Sequence, residues 1–473
     1  MRILYATSEA VPFAKTGGLA DVAGALPKAI HELDHDIRVI MPKYRGITGK
    51  KIKTFEVNMP QGLEEAEIYE DHLPGSSAMV YFVGNQKYFD REGLYQNNGI
   101  DYPDNCERFS FFCKAVMEAV PQLDFLPDVI HCNDWQSGLA AAYVKKLHKW
   151  NGVAVVYTIH NMDYLGLFPK EQIFATGFDW RMFTPDRLEF FDRLSLAKGG
   201  LVFADVINTV SPTYAREIQT PEFGAGLDGL MRKRSGDIFG ILNGVDYKIW
   251  NPRTDKKIAK RYSAESLEDK SGNKLALQKL CGLPAGKTKP VIGIISRLAD
   301  QKGFDILAGA MDAIINMGAQ IVILGVGEPK YHRWLQQMQK TYPKSLSVNL
   351  EFNAMLAELI YAGADMFLMP SRYEPCGLGQ LISFKYGTIP VVRKTGGLAD
   401  TVHDGVDGFV FTDPNPSALV EAAARALAGF KKKKSWHAMQ ELVMDYDYSW
   451  KVSAKKYVDL YKGALLKIGR RVN

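Results

Sequence analysis

Lys15-Thr16-Gly17-Gly18-Leu19-Ala20-Asp21 recurs residue for residue as Lys394-Thr395-Gly396-Gly397-Leu398-Ala399-Asp400, once in each half of the chain. Each copy follows a short apolar run that reads as a buried strand (residues 3–6 and 389–392) and precedes a helical stretch. Glycines let backbone N–H groups approach oxygen atoms, and a helix start adds partial positive charge, so strand, Gly-Gly loop and helix together make an anion site. In an open parallel sheet that site lies at the carboxyl edge, where ligands bind. A single copy is as readily a plain turn as an anion site. Two copies, each carrying a lysine, favour the anion site.

Outward from these loops, apolar β-rich runs alternate with helical stretches, the pattern of parallel sheets with crossover helices. The first half offers strands at 3–6, 37–41, 129–132, 153–159 and 206–210, and the second at 291–295, 321–324, 346–350, 366–369 and 389–392. Residues 50–83 alternate differently and read as inserted hairpins. The polar stretch 251–288 reads as the connection between domains. The last 40 or so residues read as helical, with Trp436, Trp450, Tyr457 and Leu460 at apolar positions that must pack somewhere. A chain of 473 residues exceeds one ordinary core, and two α/β domains of roughly 200 residues each are expected.

Composition is 47% hydrophobic and 23% charged, with a net charge of +5. That balance does not call for nucleic acid. The run Lys431 to Lys434 reads as a solvated helix end, with a polyanion site as the alternative. The cysteines, 106, 113, 132, 281 and 376, are odd in number and form no Cys-x-x-Cys pair. A disulfide framework or zinc site is not expected, and a reducing cytoplasm fits. No apolar run is long enough for a membrane span, and the first residues read as a strand rather than a secretory leader.

Several strand ends carry chemistry. Ser296-Arg297-Leu298-Ala299-Asp300-Gln301-Lys302-Gly303 places two cations beside a helix start, which suits a diphosphate leaving group; plain surface solvation is the alternative. Ser371-Arg372-Tyr373-Glu374-Pro375-Cys376-Gly377-Leu378-Gly379-Gln380 is a constrained loop with free N–H groups. Its Glu374 either holds sugar hydroxyls or caps a helix, and Cys376 reads as a packing residue because no histidine partners it. Gly325-Val326-Gly327 lacks the third glycine of a dinucleotide fingerprint, position 330 being lysine, so nicotinamide binding is not expected. In the first half, Asp134-Trp135 offers an oxygen beside an indole face for a sugar, and His160-Asn161 ends another strand. His160 bonds a sugar or is structural.

With those motifs assembled, the chain closely resembles bacterial glycogen synthases and plant starch synthases, the retaining α-1,4-glucosyltransferases of glycosyltransferase family 5. The resemblance runs over residues 1–460 or so. It is carried by Ser8-Glu9-Ala10-Val11-Pro12-Phe13-Ala14-Lys15-Thr16-Gly17-Gly18-Leu19, His160-Asn161, Thr209-Val210-Ser211-Pro212-Thr213-Tyr214-Ala215, Ile241-Leu242-Asn243-Gly244-Val245-Asp246, Ser296-Arg297 with Gln301-Lys302-Gly303, and Glu374-Pro375-Cys376-Gly377-Leu378. It implies a GT-B fold, two Rossmann-like domains with parallel sheets facing across a deep cleft that closes over the donor. An acceptor-side domain over 1–245, a nucleotide-sugar domain over 246–450 and a tail helix over 451–473 returning to the first domain are expected. The implied catalytic residues are Lys15, His160, Arg297, Lys302 and Glu374. Lys15, Gly17, Gly18, Asn243, Arg297 and Lys302 would bind the donor, with Phe352 stacking on the adenine where relatives have tyrosine. Cys376, Gly377, Leu378 and Gly379 complete that set, the last three offering backbone N–H groups. Tyr95, Asp134 and Asn161 would contact acceptor or sugar.

The implied reaction is glucose transfer from ADP-glucose, a substrate, to a glycogen or other α-1,4-glucan chain in glycogen biosynthesis, with no cofactor, no metal, no nucleic acid and no membrane partner. Other GT-B reactions, with UDP-glucose or a small acceptor, and a non-catalytic glucan-binding relative are the competing readings; the intact set of five argues against the last. Departures from the family pattern are Gly379 for threonine, Asp163-Tyr164-Leu165-Gly166 after His-Asn, Gln136 for histidine, and Ala225 for a larger residue. Of the two heptapeptides, the resemblance makes Lys15–Asp21 the donor contact and leaves Lys394–Asp400 to shape a wall, with Gly396 and Gly397 close to the ligand.

Overall fold

The structure, a computed structural model, describes residues 1–470. The chain divides into two compact units. The first contains Met1–Val210, Ala215–Gly244 and the chain from Trp450 onward; the second contains Ser211–Tyr214 and Val245–Ser449.

In the first unit the strands are β1 (Arg2–Ala6), β2 (Asp36–Pro42), β3 (Lys50–Met59), β4 (Gly62–His72), β5 (Met79–Gly84), β6 (Val129–Asn133), β7 (Ala154–Ile159), β8 (Val206–Thr209) and β9 (Ile238–Gly240). They form one sheet in the order β9-β8-β7-β6-β1-β2-β5-β4-β3. The sheet is parallel except at β3–β4 and β4–β5. The expected hairpins therefore exist, and they extend the main sheet at its edge. Strand order reverses between β1 and β6, where Ile3 pairs with Val129 and, on the other side, with Ile37. The loops leaving β1 and β6 thus open at a switch point, the usual ligand crevice of such sheets. Helix α1 (Gly18–His31) follows the first loop, and α2 (Asp134–Tyr143) follows β6 directly.

In the second unit β10 (Val291–Ile295), β11 (Gln320–Leu324), β12 (Leu346–Asn349), β13 (Met366–Met369), β14 (Ile389–Arg393) and β15 (Phe409–Phe411) form a parallel sheet in the order β12-β11-β10-β13-β14-β15. Its switch point lies between β10 and β13, which pair through Ile292 and Met366. Their buried, β-branched composition (Ile292, Ile294, Ile321, Ile323) is that of strands covered on both faces.

The polar stretch 251–288 is not a connection. It belongs to the second unit and contains helix α3 (Lys270–Leu280), whose lysines turn inward. Lys270 Nζ donates to the carbonyls of Tyr361 (3.2 Å) and Ala362 (2.9 Å) and to Thr388 Oγ1 (2.7 Å). Those carbonyls end helix α4 (Ala354–Gly363) and have no intrahelical donor. Burial pulls the Lys270 ammonium down to about 7. Lys274 pairs with buried Asp365 at 2.6 Å. Polarity here caps a helix rather than marking a linker, which is why composition misreads it.

Helices α5 (Gly379–Lys385) and α6 (Gly396–Thr401) follow β13 and β14. The final helix α7 (Trp450–Lys467) belongs to the first unit. Its Tyr461 hydroxyl lies 2.8 Å from His131 Nδ1, and its Tyr457 hydroxyl accepts from Asn208 Nδ2 at 3.1 Å. Among the described residues no helix is long and apolar enough to cross a membrane.

Candidate active site

In the first unit the loop after β1 carries Lys15, Gly17 and Gly18. All three are exposed, and a side chain added at either glycine would meet nothing within 4 Å. Lys15 Nζ is paired with Asp21 at 2.6 Å. The loop's amides do not all face outward, as the anion-site reading expects. Thr16 N–H and Gly17 N–H both donate to the buried carboxylate of Glu9, at 2.5 Å and 3.2 Å. Tyr95 joins the same group, its hydroxyl bonding Glu9 Oε1 at 2.6 Å and Ser8 Oγ at 2.8 Å.

Asp134 opens α2 with a left-handed backbone (φ 54°), a conformation that costs energy for a residue with Cβ and recurs at functional positions. Its carboxylate reaches across to the end of β7 and accepts His160 N–H at 2.8 Å. Burial pushes this carboxyl up to about 7, opposed by the N–H groups of His160 and Asn161. Asn133 Nδ2 donates to Ala6 O, so its oxygen faces Tyr5 OH and His160 Nε2, each at 3.0 Å. The histidine therefore carries its proton on Nε2, leaving Nδ1 as an acceptor. Burial holds His160 down to about 3, and it is neutral. Asn161 turns its side-chain oxygen to Asp163 N–H. Asn243 is buried, with its side-chain oxygen meeting no hydrogen-bond partner among the described residues. Trp135 is not a sugar platform. It is buried against Phe109, Phe168 and the backbone of Gly166.

In the second unit the loops after β10 and β13 meet at the switch point. Lys302 Nζ donates to both oxygens of Glu374, at 2.8 Å and 2.7 Å, and Ser371 Oγ adds a third bond at 3.0 Å. Two features force this pairing. Gly303 sits at φ 75°, where a Cβ would collide with the Pro370 carbonyl, so only glycine lets the loops approach. Arg372 N–H also donates to Gln301 O at 2.8 Å. Arg297 leaves the same strand, exposed, with Nη2 donating to Gln301 Oε1 at 2.6 Å. Phe352, after β12, is 92% exposed.

Cys376 is buried and in no disulfide. Gly379 starts α5 above Phe367, whose ring a Cβ at 379 would meet at 2.7 Å. The missing threonine is thus balanced by the aromatic beneath it. The other departures also have places: Leu165 is core, and Ala225 adopts φ 49°.

The second heptapeptide serves this loop. Gly397 N–H donates to the carbonyls of Glu374 (3.1 Å) and Pro375 (3.2 Å), and a Cβ at 396 or 397 would collide with the Glu374 or Cys376 carbonyl. Asp400 accepts from Thr213 N–H and Oγ1, at 2.8 Å and 2.6 Å, whereas its counterpart Asp21 holds Lys15. Identical sequences do unequal work. Glu9, Ser371 and Thr213 escape a reading of the sequence because each is an ordinary polar residue whose partner is set only by the fold. Among the described residues, no three His, Cys, Asp or Glu side chains gather as a metal-binding group.

Two Rossmann-like units, each with polar groups at its switch point, one of them with a lysine bonded to a buried carboxylate and an arginine on the same loop as that lysine, define a glycosyltransferase of the GT-B class. Residues 2–233 match the starch synthase catalytic domain and residues 282–440 the glycosyl transferases group 1 domain. The chain is 45% identical to a glycogen synthase of Syntrophotalea carbinolica, over 98% of this chain and 99% of that one. It is 46% identical to a glycogen synthase of Geotalea uraniireducens, over 99% and 100%. The solved catalytic domain of Starch Synthase IV from Arabidopsis thaliana, bound to ADP and acarbose, superposes with a TM-score of 0.90 at 32% identity, covering 98% of this chain and 99% of that one. The chain belongs to the glycogen and starch synthase family, and its function is that of these synthases.

Proposed function

We propose that the chain transfers glucose from ADP-glucose to the non-reducing end of an α-1,4-glucan with retention of configuration. The observation that carries this reading is Lys302 bonded to both oxygens of Glu374, with Arg297 on the same loop bonded to Gln301. An ammonium has three donors, so Lys302 has one left for a phosphate oxygen while Glu374 takes sugar hydroxyls. Arg297, Lys302 and Lys15 stabilise the departing diphosphate, the role a metal fills in other enzymes. The bond from the glucosyl carbon to the diphosphate oxygen breaks, the acceptor hydroxyl attacks from the same face, and its proton passes to the diphosphate oxygen. Neutral His160 offers Nδ1 to a sugar hydroxyl, and Asp134 fixes the His160 and Asn161 backbone. Asn243 supplies a buried acceptor for a donor hydroxyl, and Tyr95 and Asn161 meet the sugar. Phe352 covers the adenine, and the loop of Cys376, Gly377, Leu378 and Gly379 presents N–H groups to phosphate. The choice of ADP is supported by the ADP bound to the Arabidopsis enzyme. Thiols at all five cysteines support a cytoplasmic setting.

The test is incubation with labelled ADP-glucose or UDP-glucose and glycogen. Polymer label from ADP-glucose, well above that from UDP-glucose, is expected. Equal transfer from UDP-glucose, or label in a small product alone, refutes the reading. Activity is expected to survive EDTA; loss that Mg²⁺ restores overturns the metal-free chemistry.

A further inference from the structure

The reaction above makes no use of Glu9, yet the residue is only 3% exposed, and burial of a charge is costly unless hydrogen bonds compensate. Four donors converge on it. Oε2 accepts Thr16 N–H (2.5 Å) and Gly17 N–H (3.2 Å), while Oε1 accepts Thr16 Oγ1 (2.5 Å) and the Tyr95 hydroxyl (2.6 Å). A carboxylate has about four lone-pair sites and no proton to give, so its capacity is filled. Three of the bonds run to the Lys15–Gly18 loop and the fourth to Tyr95.

The two heptapeptides show why such an anchor is needed. In the second copy both glycines are buried against the backbone of residues 374–376, to which Gly397 N–H also donates, so packing and main-chain bonds together fix the loop. In the first copy the glycines are exposed, and a Cβ at either would meet nothing within 4 Å. Residues 16 and 17 are held instead by hydrogen bonds to one side chain, Glu9. The anchor also decides which groups face a ligand. Thr16 and Gly17 direct their N–H groups inward, so contact with an anion passes to the Gly18 amide and the Lys15 ammonium.

We propose that Glu9 is a positioning residue for sugar transfer, holding the Lys15–Gly18 loop and the Tyr95 ring in one arrangement and acting on the donor through them. This rests on the reading of Lys15 and Gly18 as donor-binding groups. Glutamine at position 9 matches the shape but turns one NH₂ group toward donors. Its oxygen can still take the Thr16 and Gly17 N–H groups, but without the charge, and its NH₂ bonds the Thr16 and Tyr95 hydroxyls only when both turn to accept.

The experiment measures donor kinetics and melting temperature for the full chain carrying Glu9→Gln, Lys15→Ala, or both. A charge-assisted hydrogen bond is roughly twice as strong as a neutral one, so neutralising the shared acceptor weakens each of the four bonds by a factor of about three. Glu9→Gln is expected to lower kcat/KM for ADP-glucose by about 10- to 100-fold with the melting temperature shifted by only a few degrees. The double variant is expected within about threefold of the worse single variant, since groups acting as a unit are not additive. Native kcat/KM in Glu9→Gln beside an impaired Lys15→Ala overturns the role of Glu9, as do effects that multiply. Native kcat/KM in Lys15→Ala beside an impaired Glu9→Gln overturns instead the donor-binding reading of Lys15. Should Glu9→Gln fail to fold, Thr16→Val removes one donor from an exposed position. A drop of about threefold to tenfold supports the anchor, and a native value overturns it.

Discussion

Lys302 and Glu374 do two jobs with one contact. Their side chains are 23% and 7% exposed, so removing the lysine leaves a buried carboxylate without its counter-charge. Lys302→Ala is therefore expected to cut kcat by about 10²–10³-fold and to destabilise the fold by about 3 kcal/mol. Adding Glu374→Ala should recover much of the stability and none of the activity, which urea titration beside an activity assay resolves. Asp134 gives a pH signature. Its carboxyl is raised to about 7 in the folded chain, so the folded state holds the extra proton between about pH 4 and 7. Its contribution to stability falls as pH rises through that window. Asp134→Asn has no such proton, so its stability relative to the parent should increase from about pH 5 to about pH 8, as unfolding at several pH values measures. A constant difference refutes the assignment. At this scale the placement of Arg297, Lys302, Glu374 and His160 just past strand ends was legible in the sequence. The sequence was silent on Glu9, whose role depends on a backbone that loops back over it.

Among elements, the repeated loops make the sharpest contrast. Gly397→Ala drives a Cβ into the Cys376 carbonyl and should cost about 1–3 kcal/mol or more, with activity lost through the Glu374 loop. Gly17→Ala meets no neighbour and should leave thermal stability unchanged. Comparative melting of the two variants decides this. The strands themselves were largely readable, residues 291–295 and 366–369 to the residue, because buried parallel strands leave continuous apolar runs. β9 and β15 escaped notice because each has three residues, too few to form a run. The stretch 251–288 was misread because inward lysines have the same composition as a linker.

In the whole molecule, the first unit is assembled from both ends of the chain. His131, in β6, is buried against Tyr461 of α7, and burial holds it down to about 3. An unfolded histidine protonates near 6.5, so this contribution is complete above that pH and is lost as pH falls toward 3. A fragment ending at Gly244 lacks α7 and with it the cover over His131 and Asn208. That fragment is expected to aggregate or bind a hydrophobic dye, whereas residues 245–449, which hold their own sheet and core, should melt cooperatively. Soluble expression and calorimetry of the two fragments test this.

The return of α7 has a consequence for how the protein is made. A ribosome finishes Gly244 long before Trp450, and at about 5–20 residues per second the interval is roughly 10–40 s. Throughout it the earlier-made unit waits with one side of its core uncovered, and the later-made unit is complete at residue 449, before that cover arrives. The usual order of domain completion on the ribosome is reversed, and the nascent first unit is the natural client for a chaperone.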